Sequence, residues 1–181
     1  LLYGNNGFAG VVNIINPLIP TDKPVRLQNV ETNFGYASSG GELKSSLKFG
    51  KSIDDFTLRG NGSFLSSGPY NLANSSFKQT NSSKFMTSGG VGLTYNDGDN
   101  YVGFSFDKLE AAYSLPGPEG EENMTSLNPT RNTVNFKSSL ALNISYFNKF
   151  NLEGTVSEYN HAERTGSGNN HNITFFNDAY E

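Results

Sequence analysis

Two histidines, His161 and His171, together with the carboxylate of Glu163, form the one grouping in this 181-residue chain whose residue types suit a divalent cation. The histidines stand ten residues apart, so a metal held there would need further ligands from elsewhere in the fold. Cysteine is absent, which removes thiolate zinc sites, disulfides and cysteine nucleophiles together. No bound metal and no cofactor are therefore expected. An acidic run follows Pro116-Gly117-Pro118, with Glu119, Glu121 and Glu122 in close succession; it would attract a cation, but such a run is more often a solvated loop. Asp54 and Asp55 lie in what reads as a tight turn, where aspartates shape backbone more naturally than they transfer protons. No G-x-S-x-G elbow occurs. The glycines of Tyr3–Asn16 lack the Lys-Ser/Thr of a phosphate loop and the helix that a dinucleotide fingerprint requires. With 13 Lys+Arg against 17 Asp+Glu, a net charge of −4 and no basic stripe, nucleic acid is excluded as a partner. The expectation is a protein that is not an enzyme.

The elements that would position these residues read as strands throughout. Asn, Ser and Gly number 24, 21 and 20, a polar composition that would suggest disorder were it not for 14 Phe and 9 Tyr spaced along the chain. Alternation with a period of two dominates. In Glu42–Phe49 the odd positions carry Leu43, Leu47 and Phe49, and the even ones Glu42, Lys44, Ser46 and Lys48. In Phe56–Phe64 apolar or glycine residues hold one face, while Thr57, Arg59, Asn61 and Ser63 hold the other. Further strands are expected at about Val30–Ala37, Phe85–Tyr95, Tyr101–Ala111, Thr133–Asn143, Phe150–Tyr159 and from about Asn172. The longest apolar stretch, Val11–Ile15, falls far short of the ~20 residues of a membrane helix.

Connection lengths alternate. Tight turns at Lys51–Asp55, Asn96–Asn100 and Ser145–Lys149 interleave with long connections at Ser66–Lys84, Ser114–Arg131 and His161–His171. Phe49 and Phe56, Tyr95 and Tyr101, and Phe147 and Phe150 flank the three tight turns; Tyr36, Phe64, Phe85 and Tyr113 lie towards the long loops. Short turns on one side, long loops on the other and aromatics at both levels form the pattern of an outer-membrane β-barrel, in which only every second residue faces lipid.

Tyr3-Gly4 through Asn13-Ile14-Ile15, with Gly7 and Gly10 between, resembles the segment that closes the plug domain of TonB-dependent outer-membrane receptors. Asp55–Phe64 is similar to that family's early barrel strands. Tyr101–Phe106 leading to Tyr113-Ser114-Leu115-Pro116-Gly117, and Glu158–Glu163 followed by Phe176–Glu181, are similar to later segments in the same order. The resemblance implies an all-β fold: part of a 22-stranded transmembrane barrel whose lumen holds a plug. It places the end of the plug at residues 1–16, a linker at 17–24 and an incomplete barrel at 25–181, about seven to eight strands. Both ends look cut, so a fragment is expected.

The implied function is energy-coupled uptake of a scarce nutrient such as a siderophore–iron complex, haem, cobalamin or a metal. The implied location is the bacterial outer membrane. Implied partners are outer-membrane lipid, the remaining plug and barrel, a TonB energy-transducing complex and a small-molecule or metal-chelate ligand. In this frame the ligand contacts would come from loop residues: Tyr70, Glu119, Glu121, His161, Glu163 and His171. The competing reading is a soluble or cell-surface β-sandwich with a binding or adhesive role.

Overall fold

The computed structural model describes residues 18–22, 28–73, 75–117, 124–144, 146–166 and 172–180. Eight strands follow one another: β1 (Gln28–Ala37), β2 (Glu42–Ile53), β3 (Phe56–Ser67), β4 (Lys84–Asn96), β5 (Tyr101–Ser114), β6 (Ser126–Ile144), β7 (Phe147–Arg164) and β8 (Asn172–Tyr180). They form a single antiparallel sheet in the order β1 to β8, each strand paired with its sequence neighbours. The fold is all-β: the described residues contain no α-helix, only a 3₁₀ turn at Ser39–Gly41. The sheet is open, with β1 and β8 at its edges.

Several strands run further than the alternation alone predicts. β6 begins at Ser126 instead of Thr133, and β7 extends from Phe147 to Arg164 where Phe150–Tyr159 was expected. The two strands pair from Ser126↔Arg164 down to Ala141↔Lys149 and, after a register shift, at Ile144↔Phe147, so each supplies backbone partners to the other along most of its length. Pro129 lies inside β6, yet its missing N–H breaks nothing. The β5–β6 register passes from Glu110↔Thr130 directly to Tyr113↔Leu127, and Pro129 sits in that gap. The connection expected at His161–His171 is correspondingly shorter, because β7 continues to Arg164 and β8 starts at Asn172.

Register fixes the two faces. Leu58 pairs with Leu93, Leu93 with Phe104, Phe104 with Phe136, and Val134 with Val156, so even positions of β3 share a face with odd positions of β4 and even ones of β5–β7. Leu43, Leu47, Leu58, Val91, Leu93, Phe104 and Leu140 all fall on this apolar face, and all are exposed. Cross-strand aromatics stiffen it: Phe104 and Phe136 lie 4.8 Å apart, and Phe56 and Tyr95, beside the tight turns, 5.2 Å. The phenyl ring of Phe49 lies over its cross-strand partner Gly60, covering backbone that glycine leaves bare.

Two aromatics on β5 depart from the expected girdles. Tyr101 pairs with Asn96 while Tyr95 pairs with Val102, so the two tyrosines flanking that turn point to opposite faces. Tyr113 pairs with Lys84 and also stands on the polar face. Each is odd-numbered on β5, whose apolar face is even.

The polar face carries linked hydrophilic side chains. Asn135 donates to Ser105 Oγ at 3.2 Å and accepts from Thr155 Oγ1 at 3.0 Å; Lys137 and Glu153 pair at 3.2 Å. Near the tight turns this face receives residues 18–22. Leu18 and Ile19, exposed by 2 % and 5 %, are the buried apolar core of the described residues. They lie against Gly90, Gly92 and Gly103, three positions without a Cβ on adjacent strands, and Asn96 Nδ2 donates to the Thr21 carbonyl at 2.9 Å.

Candidate ligand-binding end of the sheet

The faces exchange character towards the long connections. On β6 the apolar face runs from Leu140 up to Val134 and then turns hydrophilic at Asn132 and Thr130; on β7 Val156 gives way to Glu158 and Asn160. Asn132 Nδ2 donates to Glu158 Oε2 at 3.4 Å, Asn160 Nδ2 to Glu158 Oε1 at 3.3 Å, and Lys108 pairs with Glu110 at 2.5 Å on β5. Above that level the polar face becomes apolar instead. Leu65 pairs with Met86, and Met86 with Ala111; Pro129 pairs with His161, and His161 with Phe175. An apolar row therefore crosses the upper part of β3 to β5, and on β6 to β8 Pro129 and Phe175 flank His161.

At the β3–β5 side the row forms the wall of a cleft of about 510 Å³, lined by Leu65, Met86, Leu109, Ala111, Tyr113 and Pro129, with Tyr70 over it from the β3–β4 connection. That connection is ordered by its own bonds. Asn71 and Lys78 form a bridge, Gln79 N donates to the Tyr70 carbonyl at 2.9 Å, and Tyr70 N donates to Ser82 Oγ at 3.3 Å. Asn81 then ties it to the next loop, its Nδ2 donating to the carbonyls of Leu115 at 2.8 Å and Thr125 at 2.9 Å. Asn81 has φ of 49°, a left-handed conformation that asparagine tolerates better than most residues.

Replacing Asn81 with alanine leaves two loop carbonyls without that donor and strains the backbone, at a cost of about 1–3 kcal/mol. The Leu115 amide, which donates to the Thr125 carbonyl, is expected to exchange with solvent markedly faster; unchanged exchange would show that the loops hold together without Asn81.

Three of the expected ligand residues, Tyr70, His161 and Glu163, lie among the described residues. Tyr70 borders the cleft. His161 and Glu163 lie on strand β7, not in a loop, because pairing with β6 and β8 carries the strand past them. Tyr159 Oη and His161 Nδ1 are 3.0 Å apart, and the imidazole meets the Phe175 ring edge-on at 6.1 Å. His161 is thus held in an aromatic polar-face cluster. Among the described residues no group of three His, Cys, Asp or Glu side chains could hold a metal. Glu119, Glu121 and His171 lie outside the described residues, as do Tyr3, Gly4, Gly7, Gly10 and Asn13.

Met86, Leu109, Ala111 and Pro129 were not among the expected site residues. A signal for them exists in the sequence. Along β5 the large apolar residues occupy even positions at Phe104 and Phe106, then odd ones at Leu109, Ala111 and Tyr113. That change of phase, in an unbroken strand, moves apolar surface from one face to the other.

No known family model matches this chain, and a search of curated proteins returns no match either.

Proposed function

We propose that this chain is part of a TonB-dependent outer-membrane receptor, comprising the end of its plug (1–16), the linker (17–24) and the first strands of its barrel (25–181). In this reading the apolar face meets lipid and the polar face lines the lumen. The tight turns point to the periplasm and the long connections outward. The complete barrel then takes up a scarce nutrient with energy from the TonB complex, and no residue is assigned a catalytic role.

The observation that carries the reading is the limited height of the apolar band. It runs from Val134 to Leu140 on β6 and from Phe150 to Val156 on β7, no more than the ~9–11 residues with which a tilted strand crosses a membrane, and the strands then continue with hydrophilic residues on that face. Docking of Leu18 and Ile19 on the opposite face supports it further, since a chain leaving a plug must run along the lumen wall. A β-sandwich would divide its strands between two sheets packed face to face, whereas these eight share one.

The test is to express the chain with its surrounding coding sequence in a Gram-negative host and fractionate the envelope. An outer-membrane protein whose electrophoretic mobility changes on heating is expected. A compact, soluble product would overturn the proposal.

A further inference from the structure

We propose that the cleft between the β3–β4 connection and the upper ends of β3–β6 binds an uncharged, ring-bearing small molecule. Its volume, about 510 Å³, falls within the range of ligand pockets, and its lining is mainly apolar, with Leu65, Met86, Leu109, Ala111 and Pro129 beside the hydroxyls of Ser82, Ser83 and Ser114. Tyr70 and Tyr113 bring phenol groups to the same cleft, so a ring would find apolar walls and hydroxyls for one or two polar atoms.

Charge decides against an ionic ligand. Lys84, the one ionisable amine lining the cleft among the described residues, is paired with Glu42 at 2.6 Å. Arg131, the cross-strand neighbour of Leu109, pairs with Asp107 at 3.8 Å. An anion would have to break one of these pairs, and a cation would meet apolar carbon; either would leave water without compensation. The cleft is also built in advance of any ligand, because Asn81 joins the loop carrying Tyr70 to the one that follows β5.

Methionine supplies the reporter. This sequence contains two, Met86 in the cleft wall and Met124 exposed in a loop. The full-length protein is prepared with isotope-labelled methionine methyl groups, the Met86 signal being assigned by its loss in Met86→Leu and the Met124 signal by its loss in Met124→Leu. It is then titrated with benzamide, benzoate and benzylammonium. Benzamide is expected to shift the Met86 methyl saturably in the millimolar range while Met124 stays in place, and the two charged probes to bind at least about tenfold more weakly. Ala111→Phe fills the cleft and should abolish the shift; Ala111→Val, a smaller change, should weaken it in proportion and covers the case in which the larger side chain prevents folding.

Absence of any Met86 response, equal movement of Met124, or equal binding of the charged probes would overturn the proposal. Heat-modifiable mobility of the same samples scores the receptor reading separately, so the two readings fail on different measurements.

Discussion

Gly92→Val is expected to release residues 18–22 from the polar face and to cost about 3–5 kcal/mol. A Cβ at position 92 would come within 2.8 Å of the Leu18 carbonyl carbon and 3.0 Å of its Cβ, and backbone cannot rotate aside as a side chain can. The segment must lift, exposing Leu18 and Ile19; each buried side chain of this size contributes about 1.5–3 kcal/mol. Chymotrypsin cleavage after Leu18 should rise by more than an order of magnitude, a local opening that need not unfold the sheet. Gly89→Ala on the same strand is the control. Its Cβ would point to the other face and meet its nearest neighbour, the Asn61 carbonyl oxygen, at an ordinary 3.5 Å, so little change is expected. Asn96→Asp probes the polar contribution, since it keeps the oxygen that accepts from Gly98 N but replaces the amide that donates to Thr21 with a buried carboxylate oxygen that repels that carbonyl. It should release the segment partially, at about 1–2 kcal/mol. Wild-type protease resistance in Gly92→Val would show that the glycine positions do not seat the segment.

The second large effect concerns the opposite face. If the apolar band meets lipid, Val91→Arg places a charge near mid-depth and should cost roughly 2–4 kcal/mol of folding stability in a bilayer, whereas Asn61→Lys on the polar face should cost little. Val91 is exposed and lies between the uncharged Gly60 on β3 and Phe106 on β5, so the penalty would come from the medium that covers this face. The measurement is the urea midpoint of the full-length protein in lipid vesicles, beside the same variants in water. A sheet whose apolar face is covered by lipid predicts a strong contrast between the two positions. Equal effects would contradict the assignment of the faces.

Much of this arrangement is legible in the chain itself. Strict alternation in Glu42–Phe49 and Phe56–Phe64 determines which residues share a face, because successive side chains of a strand point to opposite sides whatever the partner. The tight turns at Asp54-Asp55 and Asp97–Asn100 follow from local chemistry: Asp54 adopts φ of 52°, and Asp97 Oδ1 accepts from the amides of Asp99 and Asn100. Antiparallel neighbours in sequence order then follow from the short connections. Strand ends were less legible, since β6 and β7 are prolonged by each other and neither sequence announces the pairing alone.

What the sequence by itself determined is the local and the periodic: strand identity, face, and the turns at one end. Only the tertiary structure decided which distant residues meet. It set Leu18 and Ile19 on the glycines of β4 and β5, joined two loops through Asn81, and brought Leu65, Met86, Ala111 and Pro129 around one cleft. The same pairing moved His161 from an expected loop into a strand beside Tyr159 and Phe175. The physical reason is that periodicity tells a residue which way to point, whereas cross-strand register, a property of two chain segments at once, determines what it points at.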